Sequence, residues 1–357
     1  MMFLKTLHLH NFRNYTSFKV SFSPHLNIIS GENAIGKTNL LEAINLISTG
    51  KSFRTLNLKE LIKHQKRFFF IEALIEDSGI SQIIKIYYDG KTKKITHNAN
   101  VYPSFTSLLG VLPSSMHTPD DINLIKGKPQ LRRSFLNLHL AQKDPLYVHH
   151  YLRFSKALKH RNHLLKTKKS HLLKPFDIEL SKSGGYLTYI RKLFIEELKD
   201  PIFQILQNLS KKKSEATIKY QSSIELKDGV DSTAKAYLKD LTKNKQKDLD
   251  FKTTLLGPHR DDFSIYIDGK SAKNFASEGQ KEMLLYALRF AEWEKLSSRL
   301  DKKALFLIDD LEAHLDEAHK ENLKNALKSF SQVFITMPKT GESFNNAHFI
   351  NLNTQKL

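Results

Sequence analysis

Cysteine is absent from the 357 residues. Disulfides and thiolate-bound metals are thereby excluded, and a reducing compartment is the simplest setting. Long hydrophobic runs are also missing. No stretch approaches the roughly 18 apolar residues that span a bilayer. The opening, Met1 to Tyr15, alternates apolar with polar residues and carries His8, His10 and Arg13 instead of the apolar core of a signal peptide. A cytoplasmic protein with no membrane partner is expected. Acid is scarce: 37 Asp+Glu stand against 56 Lys+Arg, a net charge of +19. Such an excess points to a polyanion, most commonly nucleic acid. Because 45 of the basic residues are lysine and 11 are arginine, a coding bias is the competing explanation, and nucleic acid is favoured over it by about two to one. What remains, with 40% hydrophobic content, fits a folded chain large enough for two lobes.

Periodicity divides the chain. Phe3 to His10 alternates as a strand, Leu26 to Ser30 is a short apolar strand, and Thr38 to Ser48 has helical spacing. Phe68 to Ile75 and Ser81 to Tyr88 read as strands around the turn Asp77-Ser78-Gly79. From Gln130 to about Leu209 the pattern is helical, with Pro145, Pro175, Gly184-Gly185 and Pro201 as punctuation. Phe263 to Ile267, Ala304 to Ile308 and Val333 to Thr336 read as strands; Gln280 to Leu300 and Glu317 to Phe330 read as helices. There are no internal repeats and no sustained heptads.

Between the second strand and the first helix lies GENAIGKT, a match to G-x-x-x-x-G-K-[ST] in its required context. Gly31, Glu32, Asn33, Ala34, Ile35 and Gly36 form the loop whose backbone N–H groups would close on phosphates. Lys37 supplies a point charge for the β- and γ-phosphates of ATP, Thr38 a hydroxyl for Mg²⁺, and Asn39 lies in the first helical turn. LFLIDD, Leu305 to Asp310, is an apolar strand ending in two acids. Such a strand is expected beside the loop's own strand. Asp309 would hold Mg²⁺ and Asp310 would orient or deprotonate the attacking water. Alone, two acids after a strand read equally well as a helix start. No Asn/Thr-Lys-x-Asp is present to read guanine.

SEGQ, Ser277 to Gln280, precedes a long helix. It resembles the signature motif of ABC-type ATPases, in which Ser277 and Gly279 would face a nucleotide held by a second subunit. Ser-x-x-Gln is also a capping box, and the two readings are compatible. Arg153, Lys156, Lys159, Arg161, Lys166, Lys168, Lys169 and Lys174 fall in one stretch without acid. They form either a surface that tracks DNA phosphates or the solvated face of a packed helix. The 16 histidines form no ligand set.

Together these segments resemble one family. LHLHNFRNYTSF, LNIISGENAIGKTNLLEAI and GKSFRT are similar to the N-terminal half of the RecF family of DNA-repair ATPases. TPDDINLIKGKPQLRRSFLN, YLRFSKALKHRNHLL, GPHRDDF, ASEGQKEMLLYALRFAE, IDDLEAHLD and QVFIT continue the likeness from Phe3 to Thr336. GPHRDD ahead of the signature motif separates this family from SMC proteins and transporters. The resemblance implies an α/β ABC-type P-loop ATPase head with an inserted, mostly helical lobe. It implies ATP-driven homodimerisation on DNA with slow hydrolysis, and action with RecR in loading recombinase at gaps and stalled forks. Ser277, Gly279 and Gln280 would then meet the partner's ATP, and Asp316 would lie in the loop crossing between sites. Against the family pattern, Ala34 replaces a glycine, Ala313-His314 replace Ser-Glu, Asn137 replaces an aspartate, and Met337 stands where many ABC proteins have a switch histidine. A Q-loop is expected within His117 to Asp121.

The expected division is 1–115 with 300–357 as the ATPase lobe, and 116–299 as the helical lobe carrying the signature motif. A zinc-hook repair ATPase is excluded by the missing cysteines and coiled coil. A transporter subunit fits poorly with +19 and GPHRDDF. An ATP-gated DNA clamp with negligible turnover is the main competing function, and the paired Asp309-Asp310 favours turnover.

Overall fold

Three strands, each buried along most or all of its length, set the frame. They are LNIIS, LFLI and QVFITM, and continuous apolar runs of this kind form parallel sheets covered on both faces. The computed structural model describes residues 2–210, 214–299, 303–311, 317–338, 344 and 346–354. In chain order the first elements are β1 (Met2–Phe12), β2 (Tyr15–Ser21), β3 (Leu26–Ser30), α1 (Lys37–Thr49), β4 (Phe69–Asp77), β5 (Ile80–Tyr88), β6 (Lys93–His97), β7 (Asn100–Tyr102) and β8 (Ser114–His117). Then come α2 (Ile122–Lys126), α3 (Pro129–Lys143), α4 (Pro145–Lys166), α5 (Lys174–Leu209), β9 (Ala216–Gln221), α6 (Val230–Lys243), α7 (Lys245–Phe251), β10 (Asp262–Ile267), β11 (Lys270–Ser271) and α8 (Ala272–Phe275). The chain closes with α9 (Glu278–Arg299), β12 (Leu305–Ile308), α10 (Glu317–Leu327), β13 (Gln332–Met337) and β14 (His348–Asn351).

The chain forms two compact units. The first comprises Met1–Asp121, Ile205–Lys213 and Glu278–Leu357; the second comprises Ile122–Gln204 and Ser214–Ser277. The boundary places α9 in the first unit, directly after Ser277 in the second.

The first unit holds two sheets. One is parallel, in the order β14-β3-β13-β12-β8; the other is antiparallel, in the order β2-β1-β4-β5-β6-β7. β4 alternates buried and half-buried residues, the pattern of a strand with one face on the core. Leu4, Leu7, Leu9, Ile71, Ala73 and Ile86 of the antiparallel sheet share a hydrophobic core with Leu40, Ile44 and Ile47 of α1 and with Leu305 and Leu307 of β12. The expected neighbour relation is corrected by the topology: β12 does not lie beside β3, because β13 runs between them. The second unit is helical apart from the sheet β11-β10-β9.

Candidate functional site

The C-terminal ends of parallel strands collect the loops where ligands bind in open α/β sheets. β3 ends at Ser30 and hands the chain to the loop 31–36, which enters α1 through Gly36. Gly36 has φ +125, and a Cβ there would approach Asn14 Nδ2 to 2.7 Å and the Tyr15 hydroxyl to 3.0 Å. Glycine is needed because those two side chains brace the loop from behind. Asn14 Nδ2 donates to the Ile35 carbonyl (2.7 Å) and the Tyr15 hydroxyl to the Gly36 carbonyl (3.0 Å). Lys37 Nζ donates to the carbonyls of Gly31 (2.6 Å) and Glu32 (2.9 Å), pulling its ammonium across the loop. Ala34 adopts φ +66, the left-handed region that favours glycine.

Opposite the loop stand the two acids. Thr38 Oγ1 donates to Asp309 Oδ1 at 3.0 Å, and Thr336 Oγ1 donates to the same oxygen at 2.8 Å. The Asp310 amide donates to Thr336 Oγ1 at 2.8 Å, and Asp310 itself has φ +59. Thr336 comes from β13, the strand between β3 and β12, so that strand fills the gap with a hydroxyl that touches both acids. A cleft of about 490 Å³ results, lined by Asn33, Ala34, Gly36, Lys37, Thr38, Asn39, Arg54, Asp309, Asp310, Thr336 and Pro338. Burial raises the Asp309 carboxyl above its ordinary pKa; bonds from Thr336 and Thr38 oppose this, and the Asp310 charge adds to it. Burial draws the Lys37 ammonium down while Asp310 and Asp309 hold it up.

A hydroxyl and a carboxylate oxygen within 3.0 Å of one another form a hard-oxygen donor set of the kind Mg²⁺ takes. Among the described residues no group of three or more His, Asp or Glu side chains could cage a metal. Magnesium in nucleotide sites needs no such cage, since phosphate and water complete its shell.

Several of these residues escape a motif search. Arg54 lines the cleft and donates from Nη1 to Asn39 Oδ1 (2.7 Å), while Asn39 Nδ2 donates to Asn14 Oδ1 (2.8 Å). Arg13 binds the buried Glu42 of α1 through Nε (2.8 Å) and Nη2 (2.6 Å). GKSFRT carries the only sequence hint of Arg54, and nothing in the spacing isolates Asn14 or Thr336.

Within the segment His117 to Asp121, His117, Thr118 and Asp121 are buried, and His117 and Asp121 meet side chains of α9, while Pro119 and Asp120 are exposed. His117 Nε2 lies 3.2 Å from Glu282 Oε1, its ring is tilted against that of Tyr286 with centroids 4.2 Å apart, and its carbonyl accepts the Asp309 amide (2.9 Å). Asp121 is held by Arg289 Nε (2.8 Å) and Nη2 (2.7 Å). Burial opposes the charged form of His117, yet bonds and charges from Asp121 and Glu282 carry its pKa above the ordinary value.

Ser277, Glu278 and Gly279 are exposed and Gln280 is half-buried. None of the four lines the cleft. A Cβ at Gly279 would meet nothing within 4 Å, so the fold of this chain does not demand glycine there. Asp316, Ala313 and His314 lie outside the described residues.

The basic stretch needs a correction. On α4 the buried face is Tyr147, Phe154, Ala157, Arg161 and Leu165. Arg161 therefore sits on the apolar face, fully buried, with Nε on Asp177 (2.6 Å) and Nη1 on Asp248 (2.6 Å) and Thr254 (2.8 Å). It is a core ion pair and has no path to a phosphate. Arg153 is paired with Glu179. Lys156, Lys159, Lys166, Lys168, Lys169 and Lys174 are exposed.

GPHRDD has an architectural part. Asp261 is buried and accepts from Thr188 Oγ1 (3.1 Å), the Tyr220 hydroxyl (2.5 Å), the Ser223 amide (2.8 Å) and Ser223 Oγ (2.9 Å). Asp262 takes two bonds from Arg132, at 2.7 and 2.8 Å. Buried Arg191 donates to the Pro258 carbonyl (2.6 Å), to the Tyr147 hydroxyl (2.9 Å) and to Asn137 Oδ1 (2.7 Å). Burial pulls His259 down to about 4, with Arg260 adding to the effect and the Thr254 carbonyl opposing it.

The family model described as the RecF/RecN/SMC N terminal domain matches residues 3–356. A DNA replication and repair protein RecF of Protochlamydia amoebophila is 41% identical over 336 residues, 94% of each chain. One of Chlamydia caviae is 38% identical over 94% of this chain and 91% of its own. A solved structure of the recombination mediator protein RecF with ATP, in the RecFOR pathway, superimposes with TM-score 0.90 at 32% identity, covering 98% of this chain and 95% of that one. An SMC head domain from Pyrococcus furiosus, with TM-score 0.55 and 16% identity over 95% of this chain and 90% of that one, shares the fold alone.

Proposed function

Because the chain belongs to the RecF/RecN/SMC family, as a RecF protein with an ABC-type ATPase head, we propose that it binds ATP in the cleft at Lys37 and hydrolyses it slowly to control a DNA-bound homodimer in replication and repair, with RecR as a partner. The observation that carries this reading is the convergence of Lys37, the Thr38–Asp309 pair and Asp310 on one cleft. Lys37 moves its ammonium from loop carbonyls to the β- and γ-phosphates. Thr38 and Asp309 would hold Mg²⁺, which when bound would neutralise phosphate charge. Asp310 orients and deprotonates the water, and the Thr336 hydroxyl fixes the Asp310 backbone and Asp309 together. Arg54, lining the same cleft, adds positive charge.

Exposed Ser277 and Gly279 at the start of α9 support a composite site in which they meet the γ-phosphate on a second copy. A helix N-terminus of this length offers its dipole end to an anion. The exposed lysines of 156–174 are the proposed phosphate-tracking face; Arg161 is not part of it. Among the described residues no helix is long and apolar enough to cross a membrane.

Light scattering with ATP, ADP and no nucleotide tests the mechanism. Asp310→Asn is expected to trap the ATP dimer, with hydrolysis lowered on the order of 100-fold or more. Ser277→Arg is expected to bind ATP as a monomer. If Ser277→Arg dimerises with ATP as wild type does, the composite site is wrong and SEGQ is a helix cap only.

A further inference from the structure

At the GPHRDD corner the two acids and two of the arginines are engaged internally, while His259 Nδ1 is buried without a hydrogen-bond partner among the described residues. Asp261, Asp262, Arg132 and Arg191 direct their polar atoms at named partners inside the second unit. Arg260 is exposed, and among the described residues its side chain has no hydrogen-bond or ion-pair partner. The peptide that follows it holds a second guanidinium: half-buried Arg133 donates from Nη1 to the Asp261 carbonyl at 2.9 Å and to no other described residue. The turn is closed by the Arg260 amide donating to the Gly257 carbonyl (2.8 Å), so the two arginines are presented on a braced backbone.

Charge is crowded at this corner. Four arginines, Arg132, Arg133, Arg191 and Arg260, face two carboxylates, Asp261 and Asp262. Both carboxylates are already engaged. Burial and the charges of Arg191 and Arg260 pull Arg133 below the ordinary arginine value, with Asp262 and Asp261 opposing. Like charges held together on a rigid frame are relieved by an anion. Guanidinium groups suit phosphate oxygens better than ammonium groups do, because their N–H donors are planar and fixed.

We propose that Arg260 and Arg133 form a site for one backbone phosphate of duplex DNA, distinct from the lysine face of α4. The proposal rests on the reading that this protein binds DNA. It divides the GPHRDD motif in two: Asp261 and Asp262 build the corner, and Arg260 uses it.

The test is binding of a fluorescein-labelled 20-base-pair duplex across a salt series, with ATP present. Arg260→Ala is expected to lower affinity about tenfold at low salt and to flatten the slope of log K against log salt by about 0.9, the loss of one phosphate contact. Arg260→Lys keeps the charge and should restore most of the slope. Arg133→Gln retains a donor for the Asp261 carbonyl while removing the charge, and should act in the same direction as Arg260→Ala. Thermal unfolding and ATP affinity of Arg260→Ala should match wild type, since that side chain has no internal partner. Wild-type slope and affinity in both charge-removing variants would overturn the site while leaving DNA binding intact. A drop in thermal stability that accounts for the lost binding would overturn it too, by making Arg260 structural. A wild-type protein that binds no duplex at low salt would overturn the DNA reading and the site with it.

Discussion

Two polar corners of this molecule are built from similar residues and do opposite things. The GENAIGKT loop with Asp309-Asp310 and the GPHRDD turn each combine basic side chains, a pair of adjacent aspartates and neighbouring hydroxyls. At the GPHRDD turn the hydrogen bonds close on themselves: buried Asp261 takes four donors and Asp262 two. At the loop they stop short. Thr38 and Thr336 both bind Oδ1 of Asp309, Lys37 leans on two weakly basic carbonyls, and Asp310 stays exposed beside a cleft. The lesson is one of saturation. An aspartate pair whose acceptors are filled holds a fold together, and one whose acceptors remain open to a cleft is available for chemistry.

The sharpest way to break this contrast is to empty the saturated corner. Asp261→Ala leaves buried Thr188 and half-buried Tyr220 and Ser223 without their acceptor. A loss of about 3 to 5 kcal/mol is expected in urea unfolding of the second unit. A loss under about 1 kcal/mol would mean that the corner is not what holds that unit. Next in size is Lys37→Ala, expected to weaken ATP binding about 100-fold in equilibrium titration while leaving apo stability close to wild type. Unchanged affinity in the folded variant would remove the loop from the nucleotide site.

A third measurement uses pH. His259 has a folded pKa of about 4 and an unfolded value of about 6.5. Below pH 6.5 the unfolded chain takes up the proton first, so stability falls as pH drops from about 6.5 to 4 and levels off below that. The contribution is at most about 3 kcal/mol. His259→Gln keeps a donor for the Thr254 carbonyl and should flatten this part of the stability profile; an unchanged profile would show that His259 is not the titrating group. The smallest effect is expected at Ala34. Its φ of +66 is strained for a residue with a Cβ, by about 1 to 2 kcal/mol, and glycine's greater chain entropy offsets about 0.5 to 1 of that. Ala34→Gly should therefore stabilise the apo protein by no more than about 1.5 kcal/mol in thermal unfolding, and a destabilisation would show that the methyl group is packed to advantage.

Much of the frame is legible in the sequence. The short apolar runs at 26–30, 304–308 and 333–336 appear as β3, β12 and β13, because a fully buried strand advertises itself by composition. The order of those strands is not legible, since nothing local says which parallel neighbour comes first. Thr336 was hidden for that reason: it matters only because β13 stands between the loop and the acids. Gly184-Gly185 and Pro201 look like breaks, yet α5 runs through all three. A Cβ at Gly185 would come within 2.7 Å of the Ala234 backbone, so glycine is there to admit α6, a tertiary reason with no local signature. Arg161 is the reverse case. Its spacing from Phe154 and Leu165 places it on the buried face of α4, and its charge draws attention away from that spacing.

His117 offers a last consequence, in terms of coupling. Its peptide carbonyl anchors the amide of Asp309, while its ring lies against Glu282 and Tyr286 of the helix that begins at the signature motif. A replacement at 282 leaves the buried imidazole with Asp121 alone, and a replacement at 117 takes the His117 partner from a half-buried carboxylate. Neither change is neutral alone, although neither residue lines the cleft. Exchange at 117 and 282 should therefore be coupled, the double change costing less than the two single ones added together, while the Asp309 amide keeps its bond to the carbonyl of residue 117 whichever side chain stands there.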